Sequence, residues 1–332
     1  MNAKKTLEKV KIKSWQRIVT ISRRKGYDHL LYRSFWHYKT NPIQKLSTES
    51  NYFTCIPNKY AGIGHQLANW IAGYWFARYF NLNFAHTPFP NQKWESFLGF
   101  YENEISVDFL VKQQGYRRVR IPLFDENRFS QIELIKKIIS SYSDQKVVFI
   151  AEQDQFYHNQ YGVIFDLQKK FYNSEARKQD KLIYSKDNFN IAIHIRRGDI
   201  AIGQENLNDN LTMRWLDNKY YHNVLLNALK IIPKDKLVSV YLFSQGKEDE
   251  FSSFKEFGNV HLCLNMNDQQ SFLHMIYADL LITSRSSFSY KPALLNRSIK
   301  ICPITFWHGY PNTKDWVLAE EDGSFSLCIN KQ

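Results

Sequence analysis

Apolar residues fall along this chain in two rhythms. Runs of four to six, at residues 147–151, 191–195, 238–243, 260–264, 280–283 and 299–303, read as buried strands. Steps of three and four predict helices. Leu67, Trp70, Ile71, Tyr74 and Ala77 mark one over residues 66–80, and Leu216, Tyr220, Val224, Leu225 and Leu229 mark another that ends before Pro233. Two more are read at 271–278 and 287–295. Strands alternating with helices at this spacing imply an α/β fold with parallel sheets covered on both faces. The first half is thinner in signals: a short strand at 52–55, a loop at 57–64, then the helix at 66–80. A polar stretch at 165–188, with Lys169, Lys170, Arg177, Lys178, Asp180 and Lys181, predicts the junction between two domains. The expected division is 1–45 as an arm, 46–180 as an N-terminal α/β domain and 181–332 as a C-terminal Rossmann-like domain.

The 332 residues suit two domains, and 44% hydrophobic with 23% charged residues excludes wholesale disorder. Apolar stretches reach only about eight residues, well short of a membrane span. The formal charge of +12 points to an anionic partner, yet it is unevenly placed. Residues 1–40 hold eleven Lys and Arg against Glu8 and Asp28, so the remaining body is nearly neutral. In the arm Val10, Ile12, Trp15, Ile18, Val19 and Ile21 interrupt the cations at helical spacing. That pattern suits peripheral contact with an anionic membrane; the other reading is a helix packed on the domain by its apolar edge. Cys55, Cys263, Cys302 and Cys328 are too far apart in sequence for a metal knuckle or a redox pair. A cytoplasmic protein, peripheral at the inner face of the membrane, is the expectation.

Three segments carry chemistry. At the end of the 191–195 strand stand His194, Arg196, Arg197 and Asp199. Ligands in α/β domains gather at the carboxyl ends of strands, and alternate residues of a strand share a face, so His194 and Arg196 can converge on one ligand. An Arg there clamps a phosphate with paired donors; an ion-pair cluster finishing a strand is the bland alternative. The second segment, from Asp279 through Thr283 to Ser284, Arg285, Ser286, Ser287, Phe288 and Ser289, is a strand, a hydroxyl-rich turn and a helix start. Helix starts hold anions, and Ser286 or Ser287 also suits an N-cap. The third, Gly62-Ile63-Gly64-His65-Gln66, is a glycine loop before a helix, where a backbone can approach a ligand closely or simply turn.

In this order the three segments resemble motifs of the fucosyltransferase superfamily that includes the α-1,2-, α-1,6- and protein O-fucosyltransferases. His194-Ile-Arg196-Arg197-Gly-Asp199 is similar to its first motif, most of all in the bacterial α-1,2 family. The resemblance implies that the Arg pair grips the GDP-fucose diphosphate with His194 near the nucleotide. Residues 240–245 are similar to the second motif, with Gln245 where an Asp is common. Asp279 and Ser284–Ser289 look like the third, which implies guanine binding by Asp279 and phosphate binding by the serine turn. Gly62 through Gln66 resembles a Gly-x-Gly-Asn-Gln loop, with His65 in place of Asn.

A GT-B-like fold is thereby implied: two Rossmann-type domains and a cleft between them, the N-terminal one on the acceptor side and the C-terminal one holding the nucleotide sugar. The implied activity is inverting transfer of fucose from GDP-fucose to a glycan hydroxyl, α-1,2-like, in surface polysaccharide synthesis with a lipid-linked acceptor. No cofactor and no metal are expected, because Arg and helix-terminus donors can stabilise the leaving diphosphate. Inversion needs a group that takes the acceptor proton, and Glu205, Asp199 and His65 are candidates. Another GDP-sugar on the same fold is an alternative. A basic, aromatic-rich nucleic-acid-binding protein is a further one, although the aromatic residues fall at core spacing and no nucleic-acid partner is expected.

Overall fold

The computed structural model describes residues 3–41, 50–153, 155–201, 209–233 and 235–326. The chain forms two compact units, and it passes between them more than once. The first unit takes Met1–Ala61, Gln66–Pro90 and Asn103–Tyr157; the second takes Gly62–His65, Asn91–Glu102 and His158–Gln332. Each contains one sheet whose pairings are all parallel, so the α/β expectation is met in both.

In the first unit β1 (Tyr52–Cys55), β2 (Asn83–Phe84), β3 (Arg117–Arg120) and β4 (Val147–Ala151) stand in the order β2-β1-β4-β3. The predicted β1 and β4 are central, and every residue of β4 is buried. The edge strand β3 buries only Val119 among three arginines, which is why its pattern does not read as a strand. Helix α1 (Ala3–Arg24) opens the chain, followed by α2 (Arg33–Thr40) and α3 (Ile63–Tyr79). Helix α3 starts three residues earlier than the apolar spacing predicts. Trp70, Ala72 and Phe76 are buried in the first unit's core, and Gly73 has a different task. A Cβ on Gly73 would lie 2.6 Å from the Cys55 backbone nitrogen, so the missing side chain is what lets this helix lie against β1.

Helix α1 is packed on this unit by one edge. Val19 is buried, Trp15 Nε1 donates to Glu152 at 3.3 Å, the Trp15 and Tyr32 rings meet edge to face at 5.7 Å, and Lys59 pairs with Glu8 at 3.0 Å. Leu7, Val10, Ile18 and Ile21 face outward and are about half exposed. Among the described residues no helix is long and apolar enough to cross a membrane.

The second unit carries α4 (Gln92–Leu98), with α5 (Val107–Gln113) and α6 (Phe129–Ser140) belonging to the first, and then α7 (Ile164–Asn173), α8 (Asn218–Leu229), α9 (Asp268–Tyr277) and α10 (Ser287–Leu295). Its six strands are β5 (Phe189–His194), β6 (Val238–Ser244), β7 (Val260–Leu264), β8 (Leu280–Ile282), β9 (Ile299–Pro303) and β10 (Trp316–Ala319), in the order β10-β9-β8-β5-β6-β7. One face buries Ile191, Ile193, Val240 and Leu242 with Tyr221, Val224 and Leu225 of α8. The alternate residues face the other way, where Phe243 meets His274 of α9 at 5.7 Å and His194 meets Phe288 of α10 at 5.4 Å. Both faces are covered, which is why these strands read as mostly apolar runs. Helix α7 forms inside the stretch that polarity predicts as a connector, because Leu167 and Phe171 suffice to bury one edge of it.

Gly73→Ala tests the close approach of α3 to β1. Alanine favours a helix by about 1 kcal/mol over glycine, whereas forcing a methyl into a filled core costs about 1–3 kcal/mol. Urea unfolding is expected to show a net loss of stability; a gain would mean that the helix is free to shift.

Candidate active site

The order of the second sheet creates a crevice. From β5 the chain moves through β6 and β7 on one side, then returns to β8 on the opposite side of β5 and continues to β9 and β10. The connections leaving the carboxyl ends of β5 and β8 therefore diverge, and ligands of open α/β sheets lie at such a reversal. The β5 end delivers His194, Arg196, Arg197 and Asp199; the β8 end delivers Thr283, Ser284, Arg285 and the start of α10.

These groups are tied together. His194 Nδ1 and Ser284 Oγ share a 2.8 Å hydrogen bond across the two strand ends. Burial, and then the charges of Arg196 and Arg197, push the His194 imidazole down to about 3, so it is neutral near pH 7. Ser284 N–H donates to Ser289 Oγ at 3.2 Å, and Ser286 caps α10 by accepting from Phe288 N–H at 3.2 Å. Ser289 N–H donates in turn to the Ser286 carbonyl at 3.1 Å. The serine turn is thus internally bonded, which holds the positive end of α10 in place. Ser244 at the β6 end donates to the Ile195 carbonyl at 2.8 Å, and Gln245 lies against Gly198.

Of the two adjacent arginines, Arg197 is turned inward. It is 6% exposed, donates to the carbonyls of Arg196 and Leu216 and to Asn218 Oδ1, and lies 4.0 Å over the Trp215 ring. Arg196 keeps its side chain 26% exposed and pairs with Asp199 at 2.6 Å, leaving most of its donors open. Helical residues 199–201 follow it directly. Glu205 lies outside the described residues.

Two further arginines, Arg214 and Arg285, complete the edge. Arg214 lies in the field of Arg196 and Asp199, and 5.0 Å over Trp307. Burial, and next the like charge of Arg196, lowers its affinity for a proton. Arg285 donates to Thr305 Oγ1 and to Glu321 at 2.9 Å. The Nε atoms of Arg214 and Arg285 are both buried without a hydrogen-bond partner among the described residues. Buried guanidinium donors left open in this way call for an acceptor. Arg285 was legible as part of the turn; nothing in the sequence marks Arg214.

Asp279 is not brought to this crevice. It precedes β8, where its Oδ2 accepts from Asn190 N–H at 2.8 Å, while its own N–H donates to the Asn190 carbonyl at 3.0 Å. That joint ties the amino ends of β5 and β8, about 16 Å from Ser284 at the rise of an extended strand. Asp279 takes a structural contact at that edge.

The glycine segment is also rearranged. Gly64 lies inside α3 rather than in a loop, and a Cβ there would fall 2.7 Å from Ser287 Cβ and 2.8 Å from its carbonyl carbon. Its close backbone approach is therefore to the first residue of α10 and not to a ligand. Gly62 is exposed, and His65 belongs to the second unit with Gly64. Gln66 belongs to the first unit, where its amide donates to the Ala61 carbonyl at 2.7 Å. Among the described residues no cluster of three or more His, Cys, Asp or Glu is placed to hold a metal ion.

No protein-family profile matches this sequence, and no curated protein sequence does. Solved structures similar to the chain include Arabidopsis thaliana FUT1 in complex with GDP, at 9% identity and a TM-score of 0.45, covering 91% of this chain and 80% of that one. POFUT1 in complex with GDP-fucose is similar at 11% identity and a TM-score of 0.45, over 79% of this chain and 99% of that one. NodZ α-1,6-fucosyltransferase co-crystallised with GDP is similar at 12% identity and a TM-score of 0.37, over 75% and 93%. All three scores lie below 0.5, so the functional reading rests on the residues of the crevice.

The buried neutral histidines set a pH dependence. His194 at about 3 and His308 at about 2, the latter lowered first by burial, bind protons more weakly folded than unfolded. Between the ordinary histidine value near 6.5 and these values the unfolded chain holds more protons, so stability falls as pH falls. Each group contributes up to about 1.4 kcal/mol per pH unit. Urea titrations from pH 7 to 4 are expected to give a shallower fall for His194→Asn than for the unaltered chain. Parallel curves would place a protonated imidazole at this position.

Proposed function

We propose that the protein is an inverting glycosyltransferase that moves fucose from GDP-fucose to a hydroxyl of a glycan acceptor, with α-1,2-like linkage. The observation that carries this reading is the set of buried arginine donors without acceptors beside a capped helix start at the strand-order reversal. A diphosphate is the ligand this set suits, with several acceptor oxygens and a high negative charge. The fucosyl identity rests on the resemblance of residues 194–199 and 284–289 to the superfamily motifs.

In the reaction the acceptor oxygen bonds to the anomeric carbon as the bond from that carbon to the β-phosphate oxygen breaks, and its electron pair leaves with GDP. Arg196, Arg214, Arg285 and the α10 start oppose the charge that builds on the departing diphosphate. The acceptor proton passes to a base. Asp199, paired with Arg196, is one candidate, with Glu205 nearby in sequence and His65 as a third. His194 is not one of them: it stays neutral and holds Ser284 in position. No metal enters this scheme.

GDP at a hundred times its dissociation constant is expected to stabilise the fold by about 2.7 kcal/mol, hence to raise the melting temperature by several degrees, with or without EDTA. An equal shift from UDP would remove the guanine preference, and loss of the shift in EDTA would remove the metal-free reading. Arg196→Lys keeps the charge but not the paired donors, and is expected to weaken GDP binding roughly 10- to 100-fold, as loss of a charged hydrogen bond does. Turnover close to that of the unaltered chain would exclude Arg196 as the clamp.

The outward face of α1 favours a second element of this reading, peripheral contact with an anionic membrane beside a lipid-linked acceptor in polysaccharide synthesis. Leu7, Val10, Ile18 and Ile21 are exposed among Lys11, Arg17 and Arg24, while the opposite edge is packed on the first unit. Replacing Ile18 and Ile21 together by Glu is expected to abolish co-sedimentation with anionic vesicles and to leave the melting temperature unchanged. Undiminished vesicle binding would leave the arm as a purely packed helix.

A further inference from the structure

Lys291, one helical turn beyond Ser287 on α10, is 2% exposed and lies within the second unit. Its ammonium nitrogen donates to Gln160 Oε1, and Gln160 Nε2 sits 3.3 Å from His308 Nδ1. His308 is itself in the field of His65 and His158. His65 follows Gly64, the residue pressed against Ser287. Six residues are thus linked around α10: Ser287 against Gly64, His65 in the field of His308, His308 beside Gln160, and Gln160 bonded to Lys291, which stands at the i, i+4 spacing from Ser287.

Of these six residues His65, His308 and Lys291 are basic, and none is a carboxylate. Tyr290, whose ring stacks on His308 at 5.1 Å, is a further ionisable group facing it. Helices α7 and α9 pack against α10 and carry Asp166, Lys169, Lys170, Asp268 and His274. None of these acids acts on Lys291: burial alone moves its ionisation, well below the usual lysine value. A buried ammonium without a counter-charge is disfavoured and tends to shed its proton, while an anion brought nearby restores the charged form.

We propose that Lys291 is a proton-accepting counter-ion to the diphosphate at the start of α10, an inference that rests on the nucleotide-sugar reading above. In the free protein its side chain is an amine hydrogen-bonded to Gln160. When the diphosphate docks on the crevice side of Ser287, the amine takes one proton from the solvent and becomes an ammonium; release of the nucleotide returns that proton. Lys291 does not touch the reacting atoms. It is a positioning residue that matches the charge of the site to its occupancy, and reciprocity makes nucleotide affinity fall as pH rises above the free amine's range.

Calorimetric titration of the intact protein with GDP, and separately with inorganic pyrophosphate, at pH 8 in two buffers of different ionisation enthalpy reads the proton directly. The expected result is a buffer-dependent heat that corresponds to uptake of a substantial fraction of a proton per ligand. Lys291→Arg, permanently charged, is expected to bind GDP without uptake. Lys291→Met is expected to bind about tenfold more weakly, the linkage equivalent of one pKa unit, also without uptake. Identical heats in the two buffers for the unaltered protein overturn the proposal while leaving the nucleotide site intact, and this arm needs no variant to fold. Uptake that persists in Lys291→Arg assigns the proton to a histidine and likewise overturns it. Failure of both GDP and pyrophosphate to bind overturns this inference together with the functional reading beneath it.

Discussion

The position of β5 between β6 and β8 is the constraint on which the second unit's chemistry depends. Parallel strands must be joined by crossovers, and here the crossovers leave the ends of β5 and β8 in opposite directions. What remains between those ends is a gap that the backbone itself cannot fill. The 2.8 Å bond between His194 and Ser284 spans it and fixes the two strand ends relative to each other. Because that imidazole is buried and neutral, the bond adds no charge to a site already rich in arginine. Everything placed around the gap, from Arg196 to the cap of α10, inherits its position from this joint.

The arginines at the edge differ in how far the unit satisfies their donors. Arg197 finds two carbonyls, an amide oxygen and an indole face inside the unit, and it is held there. Arg214 and Arg285 are only partly satisfied, with an open Nε on each. A guanidinium has five donors, and leaving one buried and open is disfavoured unless something arrives to accept it. The same logic extends inward to Lys291, where burial works against the charge and a bound anion would favour it. On the proposed reading both would answer to the same anion at the start of α10.

The fold was legible wherever burial was uniform. The strand at 299–303 and the helix at 287–295 have the bounds that their patterns predict, and both are almost wholly buried, Lys300 and Lys291 included. Edge elements were not legible. Strand β3 buries one valine, β2 has two residues, and α7 needs only two large apolar side chains within a charged stretch. In α6 the spacing of Ile132, Ile135, Ile138 and Ile139 does carry a helix, which the reading above does not include.

For the site, the sequence by itself determined which strand ends carry cationic and hydroxyl groups, since a strand's carboxyl end follows from its apolar run. His194, Arg196, Ser284 and Ser286 could be placed at one edge for that reason. Only the tertiary structure decided the rest, because the deciding contacts join residues far apart in the chain. Arg197 turns inward to Leu216 and Asn218, Arg214 arrives beside Arg196, and Gly64 yields its side-chain space to Ser287. Asp279 shows the limit most plainly. It precedes the same strand that Ser284 follows, yet the length of that extended strand puts it at the opposite edge, bound to Asn190. Local pattern reports the direction and burial of an element; which side chains share a site depends on strand order, and strand order is set by packing across the whole sheet.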